Sequence, residues 1–429
     1  MNRKFYFLLL ILASNTAFNE AFAYLDPGSG NAIIYLLLSL AGAFIYYVKT
    51  FFYKFIGIIT GKNVKVHRYE QIAIFSEGKN YWLTYKPIVE ELMSQKIHFI
   101  YYSMDIHDPA LTIDNEYMHS KFIGTSNRAY AKVGALKSKI LLTTTPNIGC
   151  PEYPLRRPSK VGKLCHVWHS ISDSSVYHLG ALDHYDVALT VGDWVESPLR
   201  QIEKIRKLNK KEIIPVGLPY FDELKKKHDD MISNYEADSN FKKEGKVLLV
   251  APSWGTKSCL RVYGTSFIEQ ALEQGYGVIY RPHPQSIKVE NDFVQNVCTQ
   301  FKSYRNFSFD SNPDATISMM KSDMMISDKS GVRFDYAFLY EKPVLTLDFP
   351  SALLDEYEAV LLGRVWGEQE SDLIGVRLQP SDKPKIMESI KQTLEFKGSD
   401  IKNLRENVLK NYGSSAVHIV QWMNAELAK

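Results

Sequence analysis

The chain has 429 residues, 45% hydrophobic and 23% charged, with a formal net charge of +3. That length exceeds one simple core, since domains usually hold about 100–200 residues, and so small a net charge gives no support to nucleic-acid binding. Four cysteines, Cys150, Cys165, Cys259 and Cys298, stand far apart with no C-x-x-C pair, which argues against a zinc site or a disulfide framework and fits a reducing compartment.

Arg3 and Lys4 precede an apolar run over 5–12, and Ala21-Phe22-Ala23 puts small residues where a signal peptidase reads. Residues 1–23 are therefore expected to be a signal peptide, and residues 24–60 a membrane anchor. Positions 32–48 carry no charge, and seventeen residues at about 1.5 Å each give roughly 26 Å of helix, enough to cross with the aromatic residues that follow. Lys49, Lys54, Lys62 and Lys65 come after that stretch, whereas Asp26 is the single charge between the cleavage site and the helix. This asymmetry predicts that the remainder faces the cytoplasm, and it does so even if the first segment is retained as half of a helical hairpin. Tyr24 to Gly30 reads as a turn, with Ser29 or Asn31 able to cap the helix. The basic runs 207–211 and 225–227 read as solvated helix faces or as contacts to an anionic leaflet.

From Gln71 onward short apolar runs alternate with longer helical ones, the pattern of parallel sheets with crossover helices. Strands are expected over 71–75, 97–104, 140–144, 164–168, 187–191 and 212–216, with a helix over 81–95. These make a first α/β domain at 66–223. The stretch 225–245 turns polar and reads as a connection, followed by strands at 246–251, 277–281, 323–327 and 343–347 in a second domain at 246–400. Residues 401–429 are left as C-terminal helices. The expected architecture is two doubly wound α/β domains facing a cleft, preceded by a membrane helix, with ligands beyond the carboxyl ends of the strands.

Four strand ends carry chemistry. His169 follows the apolar run 164–168, where an imidazole near its ordinary pKa of about 6.5 can take a proton from a hydroxyl and lose that ability in acid. A packing histidine is the plainer alternative. Arg281-Pro282-His283-Pro284 fixes a cation and a potential cation between rigid prolines, which suits an anionic ligand. Pro252-Ser253-Trp254-Gly255 is a turn whose N–H groups can approach a phosphate. Asp328-Lys329-Ser330-Gly331 runs from a strand into a helix whose first N–H groups would aim into the cleft; the plainer reading is a serine cap with Asp335 on the solvent face.

Taken in order, these strings resemble the CDP-glycerol glycerophosphotransferase family of teichoic acid primases and polymerases. Trp168-His169 matches its W-H-G segment, with Ser170 for Gly; Gly217, Pro219 and Asp222 match G-x-P-R-x-D, with Tyr220 for Arg. Pro252-Ser253-Trp254 matches P-T-W, Arg281 to Pro284 matches R-P-H-P, and Asp328, Ser330, Phe334 and Asp335 match D-x-S-S-x-x-F-D, with Gly331 for the second Ser. The Y-L-D-P-G string at Tyr24 also resembles a segment found after the signal sequence in a group of bacterial membrane proteins. The family resemblance implies a GT-B-like fold and attack of an acceptor hydroxyl on the phosphorus next to the glycerol of CDP-glycerol, with CMP leaving. It implies His169 as general base and His283 as a second catalytic residue that, with Arg281, binds the donor pyrophosphate. Ser330, Gly331, Asp328 and Ser253 would complete the donor site. No Asp-x-Asp pair occurs, and neither a metal nor a cofactor is expected. The expected partners are a CDP-activated polyol donor, a membrane-linked glycan or lipid acceptor and the bacterial inner membrane, with no nucleic acid. A sugar-nucleotide glycosyltransferase or epimerase, or a non-catalytic member of the fold, are the competing readings.

Overall fold

Val247–Val250, Gly277–Tyr280, Met324–Ser327 and Val344–Leu347 are each buried along their whole length, which is what a strand covered by helices on both faces requires. The computed structural model describes residues 70–234, 245–349, 356–368 and 370–429. The expected signal peptide at 1–23 and membrane anchor at 24–60 lie outside the described residues. Among the described residues no helix is long and apolar enough to cross a membrane.

Among the described residues thirteen strands form two parallel sheets. The first contains β1 (Glu70–Ser76), β2 (Phe99–Ser103), β3 (Met118–Phe122), β4 (Lys137–Thr143), β5 (Lys160–Val167), β6 (Val187–Thr190) and β7 (Glu212–Pro215), in the order β3-β2-β1-β4-β5-β6-β7. The second contains β8 (Val247–Val250), β9 (Gly277–Tyr280), β10 (Phe307–Phe309), β11 (Met324–Ser327), β12 (Val344–Leu347) and β13 (Gly375–Leu378), in the order β10-β9-β8-β11-β12-β13. Both sheets reverse direction once, between β1 and β4 and between β8 and β11. A doubly wound sheet opens a crevice at such a point, so the loops after these four strands are where a ligand belongs.

The helices used below are α1 (Trp82–Ser94), α2 (Ser126–Gly134), α3 (Glu196–Arg206), α4 (Pro219–Asn234), α5 (Pro284–Val289), α6 (Val332–Tyr340) and α7 (Ser415–Ala428). Three strands escape the sequence reading: β3, β10 and β13. All three are edge strands with partly exposed residues, so their apolar runs are broken. The polar stretch from Lys225 also differs from expectation, because α4 continues through it to Asn234.

The chain crosses back to the first sheet twice. Between β12 and β13, Leu179 N–H donates to Glu356 C=O at 2.8 Å and Glu358 N–H to Tyr177 C=O at 2.8 Å. In the same excursion Trp366 stacks on Trp194 with centroids 5.0 Å apart, and its N–H reaches Ser175 Oγ at 2.9 Å. At the C-terminus, α7 buries Ile419, Val420 and Met423 in the layer that holds Ile72 of β1 and Ile88 of α1.

The G-x-P-x-x-D string makes this second crossing possible. Gly217 has φ +96, and a side chain there would collide with Lys410 C=O and Ser415 Oγ, so only glycine fits. Asp222, in the first turn of α4, accepts from Ser415 N–H at 3.1 Å and Ala416 N–H at 2.9 Å, capping α7 from another helix. Asp222→Ala is expected to cost about 1 kcal/mol, the scale of a lost cap. Urea denaturation of the two proteins checks this, and an unchanged midpoint would show that the cap does not hold the helix.

Candidate active site

At the carboxyl end of β5 the backbone turns sharply away, and its side chains are left with unmet hydrogen-bonding capacity. His166 Nδ1, Trp168 Nε1 and His169 Nδ1 are buried without a partner, as is Thr145 Oγ1 after the neighbouring strand β4. Buried polar atoms are nearly always paired, so orphans on two adjacent strands, the first of which borders the switch point, mark a place built for something else. His166 Nε2 meets Tyr177 Oη at 2.9 Å, and Tyr81 meets the His169 ring edge-on with centroids 5.2 Å apart. With Nδ1 sealed off and no carboxylate orienting it, His169 has Nε2 as its working nitrogen. Burial pushes its pKa down to about 4, so the imidazole is neutral well into acid; the expectation of an unperturbed value near 6.5 is corrected by desolvation.

In the second sheet, Asp328 is fully buried directly after β11. Its carboxylate accepts from Ser253 N–H at 3.0 and 3.1 Å, from Ser253 Oγ at 2.9 Å and from Cys259 N–H at 2.8 Å. The turn after β8 is thus clamped to the end of β11, and both Asp328 and Ser253 are spent on the clamp instead of facing a ligand. Glu290 accepts from Gly255 N–H at 3.0 Å, bracing the far side of the turn and leaving Trp254 exposed.

Arg281 pairs with Asp310 at 2.6 Å, so its charge is neutralised within the protein. His283 Nδ1 accepts from Gln285 N–H at 3.0 Å, which places the proton on Nε2. Burial lowers its pKa against the pull of Asp328, so His283 is a neutral donor through Nε2–H and not the cation that its setting suggests. Gly331 caps α6, and where a side chain would project from it nothing stands within 4 Å. That space lies at the helix start, where Arg333 N–H bonds Ser330 C=O at 3.3 Å and Phe334 N–H bonds Gly331 C=O at 3.0 Å, so the N–H groups that can face an anion are those before Arg333. Ser330 C=O is held by Arg333 Nε at 2.9 Å, while Arg333 Nη1 reaches Ser371 Oγ at 2.6 Å. Arg333 is buried, which brings its pKa down to about 10, and nothing in the sequence distinguishes it from a surface arginine on an amphipathic helix.

Asp335 is not on the solvent face. Burial raises its pKa to about 7, and it shares a hydrogen bond with Tyr220, the residue that stands where the family has Arg. A carboxyl kept partly protonated needs no cation opposite, which accounts for a tyrosine at that position. Arg364, also missed, bonds fully buried Asp173 at 2.7 Å, four residues past His169, and so brings a guanidinium from the second domain to the first. No described contact joins His169 to His283.

Two α/β sheets, with a neutral histidine one strand from the switch point of the first and a helix start at the switch point of the second, define a two-domain transferase-type fold. The chain belongs to the CDP-Glycerol:Poly(glycerophosphate) glycerophosphotransferase family, whose pattern matches residues 181–403. It is a glycerophosphotransferase-like enzyme. Among solved structures, a variant of the wall teichoic acid polymerase TagF soaked with CDPG is 14% identical, covering 90% of this chain and 98% of that one with a TM-score of 0.52. The UDP-GlcNAc 2-epimerase from Methanocaldococcus jannaschii is 14% identical over 83% of this chain and 99% of that one, TM-score 0.55. The Neisseria meningitidis UDP-GlcNAc 2-epimerase bound to UDP-GlcNAc is 13% identical over 82% and 99%, TM-score 0.52. At these identities the likeness is one of fold. No curated protein matches the sequence.

Two measurements follow from this geometry. Between pH 6.5 and about 4 the unfolded chain binds a proton at His169 that the folded protein refuses, so stability falls as pH falls through that window, by at most about 1.4 kcal/mol per unit. Buried His166 is also held below its ordinary value and contributes in the same window, so His169→Gln should make the pH dependence of the urea midpoint less steep without abolishing it, and an equally steep dependence in the variant would assign it elsewhere. Asp328→Asn turns an amide donor toward three other donors and is expected to cost about 1–3 kcal/mol. A melting temperature equal to wild type would remove the clamp from the account.

Proposed function

We propose that the enzyme transfers a glycerol phosphate, or a related polyol phosphate, from a CDP-activated donor to a cell-envelope or capsule glycan or lipid. In this reading residues 24–60 tether it to the bacterial inner membrane, with the catalytic domains on the cytoplasmic side where nucleotide donors are made. The observation that carries the reading is the pairing of a neutral, buried His169, one strand from the first switch point, with a braced helix start at the second.

The acceptor oxygen attacks the phosphorus next to the glycerol, its proton passes to His169 Nε2, and the bond from that phosphorus to the CMP oxygen breaks. A base of pKa about 4 is weak, but phosphoryl transfer has a loose transition state that depends more on positioning and electrostatics than on basicity. His283 Nε2–H and the N–H groups around Ser330 and Gly331 donate to the phosphate oxygens. Arg281, Asp328, Ser253 and Arg333 hold those donors in place. The alternation of clamp and donor along the second sheet supports this division of labour.

Full-length protein in detergent, incubated with CDP-glycerol, CDP-ribitol and UDP-sugars, tests it through the nucleotide released. CMP is the expected product. Release of a nucleoside diphosphate, or turnover of UDP-GlcNAc, would establish the glycosyltransferase or epimerase reading instead. His169→Ala should lower kcat about 10²–10⁴-fold with donor affinity intact, whereas His283→Ala should weaken donor binding. The acid limb of the wild-type rate should sit near pH 4 and not near 6.5.

A further inference from the structure

The excursion between β12 and β13 touches both halves of the site. One arm reaches the loop after His169: Arg364 Nη2 donates to Asp173 Oδ2 at 2.7 Å, and Trp366 N–H donates to Ser175 Oγ at 2.9 Å. The other arm reaches the start of α6. There Lys329 Nζ pairs with Glu368 at 2.7 Å, and Arg333, which holds Ser330 C=O, donates to Ser371 Oγ at 2.6 Å. Ser371 Oγ in turn donates to the C=O of Gly367, the residue after Trp366. Hydrogen bonds and one peptide link therefore run without a gap from Ser330 to the loop that follows His169.

Within this series the charge on Arg364 carries the greatest constraint. Asp173 has no exposed surface; its Oδ1 accepts from Ser175 N–H at 2.9 Å, and its Oδ2 meets Arg364. A buried carboxylate needs a partner charge, and here that charge is delivered from the other domain. The ion pair fixes one end of a short span. At its other end Trp168 N–H donates to Leu189 C=O at 3.2 Å, and His169 lies between the two. Tyr177, whose C=O accepts from Glu358 N–H at 2.8 Å, sets its ring on Trp168 with centroids 5.5 Å apart and bonds His166 at 2.9 Å. The excursion thus steadies the end of β5 as well as the loop.

We propose that Arg364 is a positioning residue: acting through Asp173, it holds the loop that places His169 relative to the start of α6. It works on geometry and leaves the proton to the imidazole. Displacing a reacting group by about 1 Å can cost roughly 10²-fold in rate, so a small movement of the loop suffices to be felt. The inference rests on the transferase reading above and adds to it the group that places the base.

The test compares full-length wild type, Arg364→Ala and Arg364→Lys in detergent, at a temperature where circular dichroism shows all three folded. The Arg364 side chain is partly exposed, so both variants should fold. In CMP release from CDP-glycerol, Arg364→Ala should lower kcat about 10–10²-fold with the donor KM nearly unchanged. Arg364→Lys, which can make the same single bond to Asp173, should recover most of that loss. A folded alanine variant with the kcat of wild type, a lysine variant no better than alanine, or a loss confined to KM overturns the proposal. Hydrogen exchange without donor gives a reading independent of turnover: Arg364→Ala should exchange faster over 170–180 and as wild type over 277–280. Unchanged exchange over 170–180 also overturns the placement. Wild type that releases no CMP, with exchange altered as expected, removes the transferase reading and leaves the placement standing.

Discussion

The second half of the site depends on one buried carboxylate. Asp328 has no exposed surface, and its oxygens are satisfied by backbone and hydroxyl donors from a turn about 75 residues away in sequence. A buried charge left unpaired would cost several kcal/mol, so these donors must converge, and convergence fixes the end of β8 against the end of β11. Both His283 and the start of α6 hang from that junction. The proposed donor side is thus braced by the protein's own hydrogen bonds, as catalysis by electrostatic positioning requires.

A comparable constraint ties the domains. The excursion between β12 and β13 makes backbone hydrogen bonds to residues 177–179, packs Trp366 between Trp194 and Phe334, and sets Arg364 on Asp173. The loop after His169 is therefore held partly by the second domain. Since α7 also returns to the first sheet, the first half is not built from its own sequence segment alone. The chemistry of His169 follows from the same packing, because burial that lowers its pKa also keeps its lone pair available.

Ten of the thirteen described strands were legible because most of them are buried on both faces and so largely apolar, and such runs stand out between helical segments. Edge strands such as Met118–Phe122 were not, since half of their residues face water and carry no continuous signal. The motifs were legible as places but less so as roles. Asp328 and Arg281 read as ligands by residue type, yet each is paired inside the protein, and a sequence does not say where a charge finds its partner. Arg333 and Arg364 could not be singled out at all, for their importance lies in contacts 38 and 191 residues away.

What the sequence determined by itself was the class: alternating apolar and amphipathic segments require parallel α/β sheets, and five ordered strings at strand ends mark where chemistry sits. Local composition carries that information because burial and periodicity act over a few residues. Only the tertiary structure decided which polar groups are consumed by bracing and which remain to act. That distinction turns on desolvation and on partners brought together by the fold, and neither quantity exists until the chain has closed on itself.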